Sequence, residues 1–208
     1  MYDIFRLENG VRIIAERLPH VRSVAVGIWV GSGTRHESPE QNGISHFIEH
    51  MLFKGTAARD AAELAELMDM LGGEVNAFTT KECTCYYGRV PDTELITALE
   101  LLADMFFNSN FDEESVELER GVINEEINMA NDEFEGFCVD RLLLSVFGGT
   151  PLGMPILGTK ETLSGMDGRR LKDYTGSHYT GDGVVVSLAG NFSRGDIDRA
   201  RELFSVAG

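Results

Sequence analysis

With 208 residues, 43% hydrophobic and 25% charged, the chain is long enough to bury a substantial core and has an ordinary soluble, globular composition. A formal net charge of −16 argues against a nucleic-acid surface, because phosphate binding needs clustered Lys and Arg. No run of eighteen apolar residues predicts a membrane span. Three cysteines are too few for a disulfide framework, and the opening MYDIFRLENG lacks a basic, apolar leader, so the expected location is cytoplasmic.

The segment DIFRLENGVRIIAER carries two alternating runs around Asn9-Gly10, a hairpin signature. Residues 23–33, SVAVGIWVGSG, read as a third strand, too apolar for a surface and therefore central, with Trp29 packed. Its Gly31 and Gly33 lack the further glycine, lysine and βαβ context of a nucleotide loop. Residues 42–54, NGISHFIEHMLFK, predict a helix running up to Gly55. DAAELAELMDML, residues 60–71, is a second helix stopped at Gly72-Gly73, with Met68 and Met70 as core filling.

EVNAFTTKECTCYYGRV, residues 74–90, predicts one long strand or a hairpin, with Cys83 and Cys85 as half-buried strand thiols. DTELITALELLADMFF is an amphipathic helix opened by Asp92, and Phe106 or Phe107 is a candidate for a wall shared with a second domain. The helical pattern then runs from Asp112 to about Phe147. After a Gly- and Pro-containing connection come a helix capped by Asp167, an apolar strand GVVVSLAG, and a last helix capped by Ser193. Strands and helices come in groups, which predicts an α+β fold: a largely antiparallel or mixed sheet packed with helices, one domain over 1–208.

Within GISHFIEHMLFKGT, His46 and His50 stand four positions apart with Glu49 between them. On a helix, positions i and i+4 share a face, so both rings can address one point. The bland alternative is a core helix whose histidines bond to backbone carbonyls. Burying two imidazoles and a carboxylate makes that expensive. The His-x-x-Glu-His order is the inverzincin signature of zinc peptidases. A third ligand is expected on DEESVELERGVINEEINMANDE, where Val116, Ile123 and Ile127 mark the buried face and Glu119 and Glu126 fall near one another. Spacing alone leaves Glu125 and Glu126 both open. His20, His36 and His178 have no partner pattern and read as surface or turn residues.

Four stretches, HFIEHMLFKGT, LGGEVNAFTTKECTCYY, ELERGVINEEINM and PLGMPILGTKETL, follow one another along the chain. They resemble the successive motifs of the pitrilysin, insulinase and mitochondrial-processing-peptidase family, in its bacterial processing-protease branch. The resemblance covers essentially the whole chain. It implies a zinc metallopeptidase acting on extended peptides, with His46, His50 and Glu126 as zinc ligands and Glu49 as general base. By the same resemblance Glu119 supports the site, and Asn76 and Ala77 lie on an edge strand where substrate pairs. The family continues into a second half that closes a chamber, so the resemblance implies an N-terminal catalytic half, a truncated form, and a C-terminal half or partner subunit. Apolar surface left without that half predicts self-association. Two other readings stand beside this one. S-ribosylhomocysteine lyases carry the same pentad with a cysteine ligand, for which Cys138 or Cys83 would serve, and some superfamily members are non-catalytic scaffolds.

Overall fold

The computed structural model describes residues 2–205. The Asn9-Gly10 turn joins β1 (Tyr2–Arg6) to β2 (Arg12–Arg17) as an antiparallel hairpin, with Ile4 opposite Ile14. β3 (Ser23–Val30), β4 (Glu74–Thr79), β5 (Thr84–Pro91) and β6 (Val184–Gly190) complete a six-stranded sheet in the order β1-β2-β6-β3-β5-β4. β2 and β6 pair in parallel, and the other neighbours are antiparallel. The apolar β3 is interior, as its composition predicts, and β4 forms one edge of the sheet.

The helices are α1 (Ile44–Met51), α2 (Ala61–Met70), α3 (Leu95–Asn108), α4 (Glu113–Asp132), α5 (Phe134–Phe147), α6 (Lys160–Ser164), α7 (Gly168–His178) and α8 (Arg194–Phe204). Among the described residues none is long and apolar enough to cross a membrane. Strand alternation sends Val24, Val26, Ile28 and Val30 of β3, with Val184, Val186 and Leu188 of β6, to one face. There they meet Phe47, Ile48, Leu99, Leu102 and Phe106 in one core cluster. Each such side chain, fully buried, contributes roughly 1.5–3 kcal/mol of transfer free energy.

Several local expectations change. The 112–147 pattern splits at Glu133, whose extended backbone (φ −90°, ψ 108°) ends α4 and whose carboxylate caps the first turn of α5. The α-helix after Pro91 begins at Leu95, behind a 3-10 turn at Asp92–Glu94. α1 stops at Met51, and a tighter turn carries the chain on to Gly55. Met70 is exposed, and only Met68 packs, in a second cluster with Leu64 and Leu71. Trp29, 38% exposed, points to the opposite side of the sheet from the helices and meets Phe78 edge-on. Phe106 and Phe107 both belong to the main core rather than to an outer wall. Cys83 lies in the turn before β5, so only Cys85 is a strand thiol.

Candidate metal centre

α1 carries six of its eight residues buried, because its apolar stripe (Ile44, Phe47, Ile48, Met51) lies under the sheet's covered face. This drives His46 and Glu49 inward with it. α4 crosses beside α1 and buries Val116, Glu119 and Ile123. The two helices bring three side chains to one point. His46 Nε2 lies 3.7 Å from Glu126 Oε2, and His50 Nε2 lies 3.5 Å from the same oxygen. Ligand atoms of His46, His50 and Glu126 all fall within 4.8 Å of one another. A tetrahedral ion with bonds of about 2.1 Å holds its ligand atoms about 3.4 Å apart, so two imidazoles and one carboxylate fit such an ion with little movement. Glu125 is exposed and bonds to Asn128, so of the two glutamates that helical spacing leaves open it is Glu126 that lies beside the histidines.

The surroundings shift the two histidines in opposite directions. His46 is 7% exposed, and burial, aided by the neighbouring His50, lowers its pKa to about 4. It therefore stays neutral, as a metal ligand must. For His50, burial opposes the charged form, but hydrogen bonds with Glu126 and Glu119 outweigh it and raise its pKa. Glu126 is lowered chiefly by its bond with His50.

Glu119, 5% exposed, meets His50 Nδ1 at 3.0 Å and Lys54 Nζ at 2.7 Å. A carboxylate there accepts the Nδ1 proton, leaving the Nε2 lone pair directed at the ligand cluster. The other ring has no such support: Nδ1 of His46 is buried without a hydrogen-bond partner among the described residues.

Glu49 stands outside the ligand cluster. Its Oε2 accepts from Thr79 Oγ1 on β4, and burial raises its pKa above the usual carboxylate range. Asn76 and Ala77 lie on β4 but face opposite ways. Ala77 turns toward the helices and packs against the core, whereas Asn76 is exposed on the other face and its Oδ1 accepts from the Ala77 N–H. The cysteines are elsewhere: Cys138 is exposed on α5, Cys83 bonds to Thr80, and neither joins the cluster. Lys54 and Thr79 escaped the sequence reading. Thr79 shares Ala77's side of β4 by the two-residue strand period, and Lys54 stands four residues after His50 in the predicted helix; both spacings are signals that could have found them.

A family profile described as "Insulinase (Peptidase family M16)" matches residues 12–160. The chain belongs to this family. The "Uncharacterized zinc protease YmxG" of Bacillus subtilis is 52% identical over 193 residues, covering 93% of this chain and 47% of the relative. A relative from Streptomyces coelicolor, also named an uncharacterized zinc protease, is 44% identical over 97% of this chain and 44% of its own length. The M16 chain thus spans about half the length of the curated relatives it matches. Among solved structures, a protease from Helicobacter pylori superposes with a TM-score of 0.94 at 22% identity, covering 100% of this chain and 50% of that one. A Pseudomonas fluorescens structure described as a peptidase M16 inactive domain superposes with a TM-score of 0.90 at 16% identity, over 98% of this chain and 50% of that one. At these identities the likeness to solved structures shows the fold.

Proposed function

We propose that this M16 chain is the zinc-binding catalytic half of a metallopeptidase that hydrolyses extended peptides. The convergence of His46, His50 and Glu126 beside an independently tethered Glu49 carries the reading. The relatives' names, zinc proteases throughout, support zinc as the ion. Bound zinc supplies Lewis acidity, polarising a peptide carbonyl and acidifying water toward neutrality.

Each side chain then has a task. Glu49 accepts the attacking water's proton and returns it to the leaving amine; its raised pKa brings it nearer the operating pH, where a general base is most effective. Thr79 holds that carboxylate on the β4 side of the site. Glu119 fixes the His50 ring, and Lys54 pairs with the other oxygen of Glu119 and holds it in place. Substrate adds as a strand along the free edge of β4, taking the Ala77 N–H from the Asn76 side chain, so that backbone bonds provide affinity with little demand on sequence. A C-terminal half or partner subunit, supported by the half-length coverage of the relatives, encloses the bound peptide.

Metal analysis tests the ligand set. One zinc per chain is expected, lost in His46→Ala, His50→Ala and Glu126→Ala and retained in Glu49→Gln. In the protein paired with its second half, Glu49→Gln lowers peptide turnover by about 10²–10⁴-fold. Near wild-type turnover in Glu49→Gln removes Glu49 from the mechanism, and zinc retained by Glu126→Ala removes Glu126 from the ligand set. Cys138→Ala retains zinc; its loss there would favour the sulfur-ligated reading.

A further inference from the structure

The start of the metal helix is held by a residue outside it. α1 opens at Gly43, which has no side chain to cap the first turn, and the turn's orphan N–H groups need acceptors. Glu37, 2% exposed, supplies them: Oε2 accepts from Gly43 N at 2.8 Å and Oε1 from Ser45 N at 3.0 Å. Oε2 also accepts from Asn42 Nδ2 at 3.0 Å. These N–H donors are the direct partners of the carboxylate, which lies at the positive end of the α1 dipole, and Lys81 acts on it electrostatically from further away.

Asn42 extends the clamp. Its Nδ2 also donates to Pro155 O at 2.8 Å, and its own carbonyl accepts from Thr162 Oγ1 at 2.8 Å. Gly43 (φ +93°) and Gly158 (φ +74°) approach so closely that a Cβ on Gly43 would sit 2.8 Å from Gly158 Cα. The connection 155–162 is thereby pinned against the beginning of α1.

His46 is the third residue of α1, and its ring nitrogen Nδ1 finds no partner. Glu119 orients the His50 ring directly, but nothing of that kind orients His46. Its aim depends on where the first turn of α1 is placed.

We propose that Glu37 is a positioning residue for the metal helix: by capping its first turn it aims His46 at the ligand cluster. This rests on the reading of His46 as a metal ligand. Glu37→Gln is the discriminating variant, because an amide has one acceptor oxygen and must turn its NH₂ against a donor on the other side.

Zinc affinity, measured by competition with a chromophoric chelator, and the visible spectrum of the Co²⁺-loaded chain give readouts independent of activity. Glu37→Gln is expected to fold, as judged by far-UV circular dichroism, to weaken zinc about tenfold, and to alter the cobalt bands. Ile197→Ala, in α8, which packs on α3, is expected to lower the melting temperature comparably while leaving both readouts at the wild-type value. Wild-type zinc affinity and cobalt spectrum in Glu37→Gln overturn the proposal, as does an equal loss of affinity in Ile197→Ala. If Glu37→Gln does not fold, Glu37→Asp, too short to reach both N–H groups, takes its place with the same criteria. Failure of both to fold makes Glu37 a general requirement of the fold and also overturns the proposal. A wild-type chain that binds no zinc refutes instead the metal reading on which this one rests.

Discussion

Single residues set the chemistry here through their surroundings. Glu119 illustrates this: it touches His50, not the ligand point, yet fixes which imidazole nitrogen is free. Glu119→Gln is expected to keep the fold and weaken zinc by about 10–100-fold, read by chelator competition. Cys85 shows the opposite outcome. Burial pushes its thiol up to about 12, so it stays protonated and inert at pH 8, whereas the exposed Cys138 reacts with a thiol reagent in the native state. Unfolded, the Cys85 proton leaves from about pH 9; folded, it is held to about 12. Its contribution to stability is therefore complete below pH 9 and is lost as pH climbs toward 12. The buried Tyr86 and Tyr179, whose hydroxyls bond to each other, are raised for the same first reason and act in the same direction. A melting temperature that declines above pH 9, less steeply in Cys85→Val, is the expected result.

At the scale of elements, caps proved more readable than lengths. Asp167 and Ser193 each accept the backbone N–H their sequence position predicts, Asp60 does the same without having been singled out, and Asp92 falls in the 3-10 turn before α3 instead of capping it. Asp60→Ala is expected to cost about 1 kcal/mol in chemical denaturation, with α2 still formed. The division between α4 and α5 was harder to see. Glu133 reads as one more helical glutamate, but the poor helix formers Asn131 and Asp132 precede it, and Gly136 leaves room for its carboxylate. α5 buries none of its residues and leaves Phe134, Leu142 and Val146 in solvent. Its amides are expected to exchange hydrogen much faster than those of α3, which is buried along one face. Equal protection of the two helices would contradict this.

Across the whole molecule, helices cover one face of the sheet and leave the other open. Tyr2, Ile4, Trp29 and Phe78 lie exposed on that open face, in addition to the apolar side of α5. Exposed apolar area of this extent promotes association. Sedimentation of the isolated chain is expected to show concentration-dependent self-association, reduced in the double variant Ile4→Glu/Phe134→Glu. The single Trp29 reports the event by a blue shift in its fluorescence. A chain that stays monomeric at every concentration, with unchanged fluorescence, would refute the expectation.

Local patterns determined much by themselves. Period-2 runs, glycine turns and capping residues marked β1, β2, β3, β6 and most helices, because those signals are set within one or two turns of chain, whereas 74–90 stayed open between one long strand and the β4–β5 hairpin it forms. The spacing of His46 and His50 put both rings on one face of a helix for the same reason. Tertiary structure alone decided which further side chains meet that helix. Thr79 reaches the site, and Glu37 the helix start, from separate segments, and α6 with its Thr162 tie to Asn42 left no helical pattern long enough to notice. Folding brings such groups together by burying apolar faces that carry no information about which polar groups will travel with them.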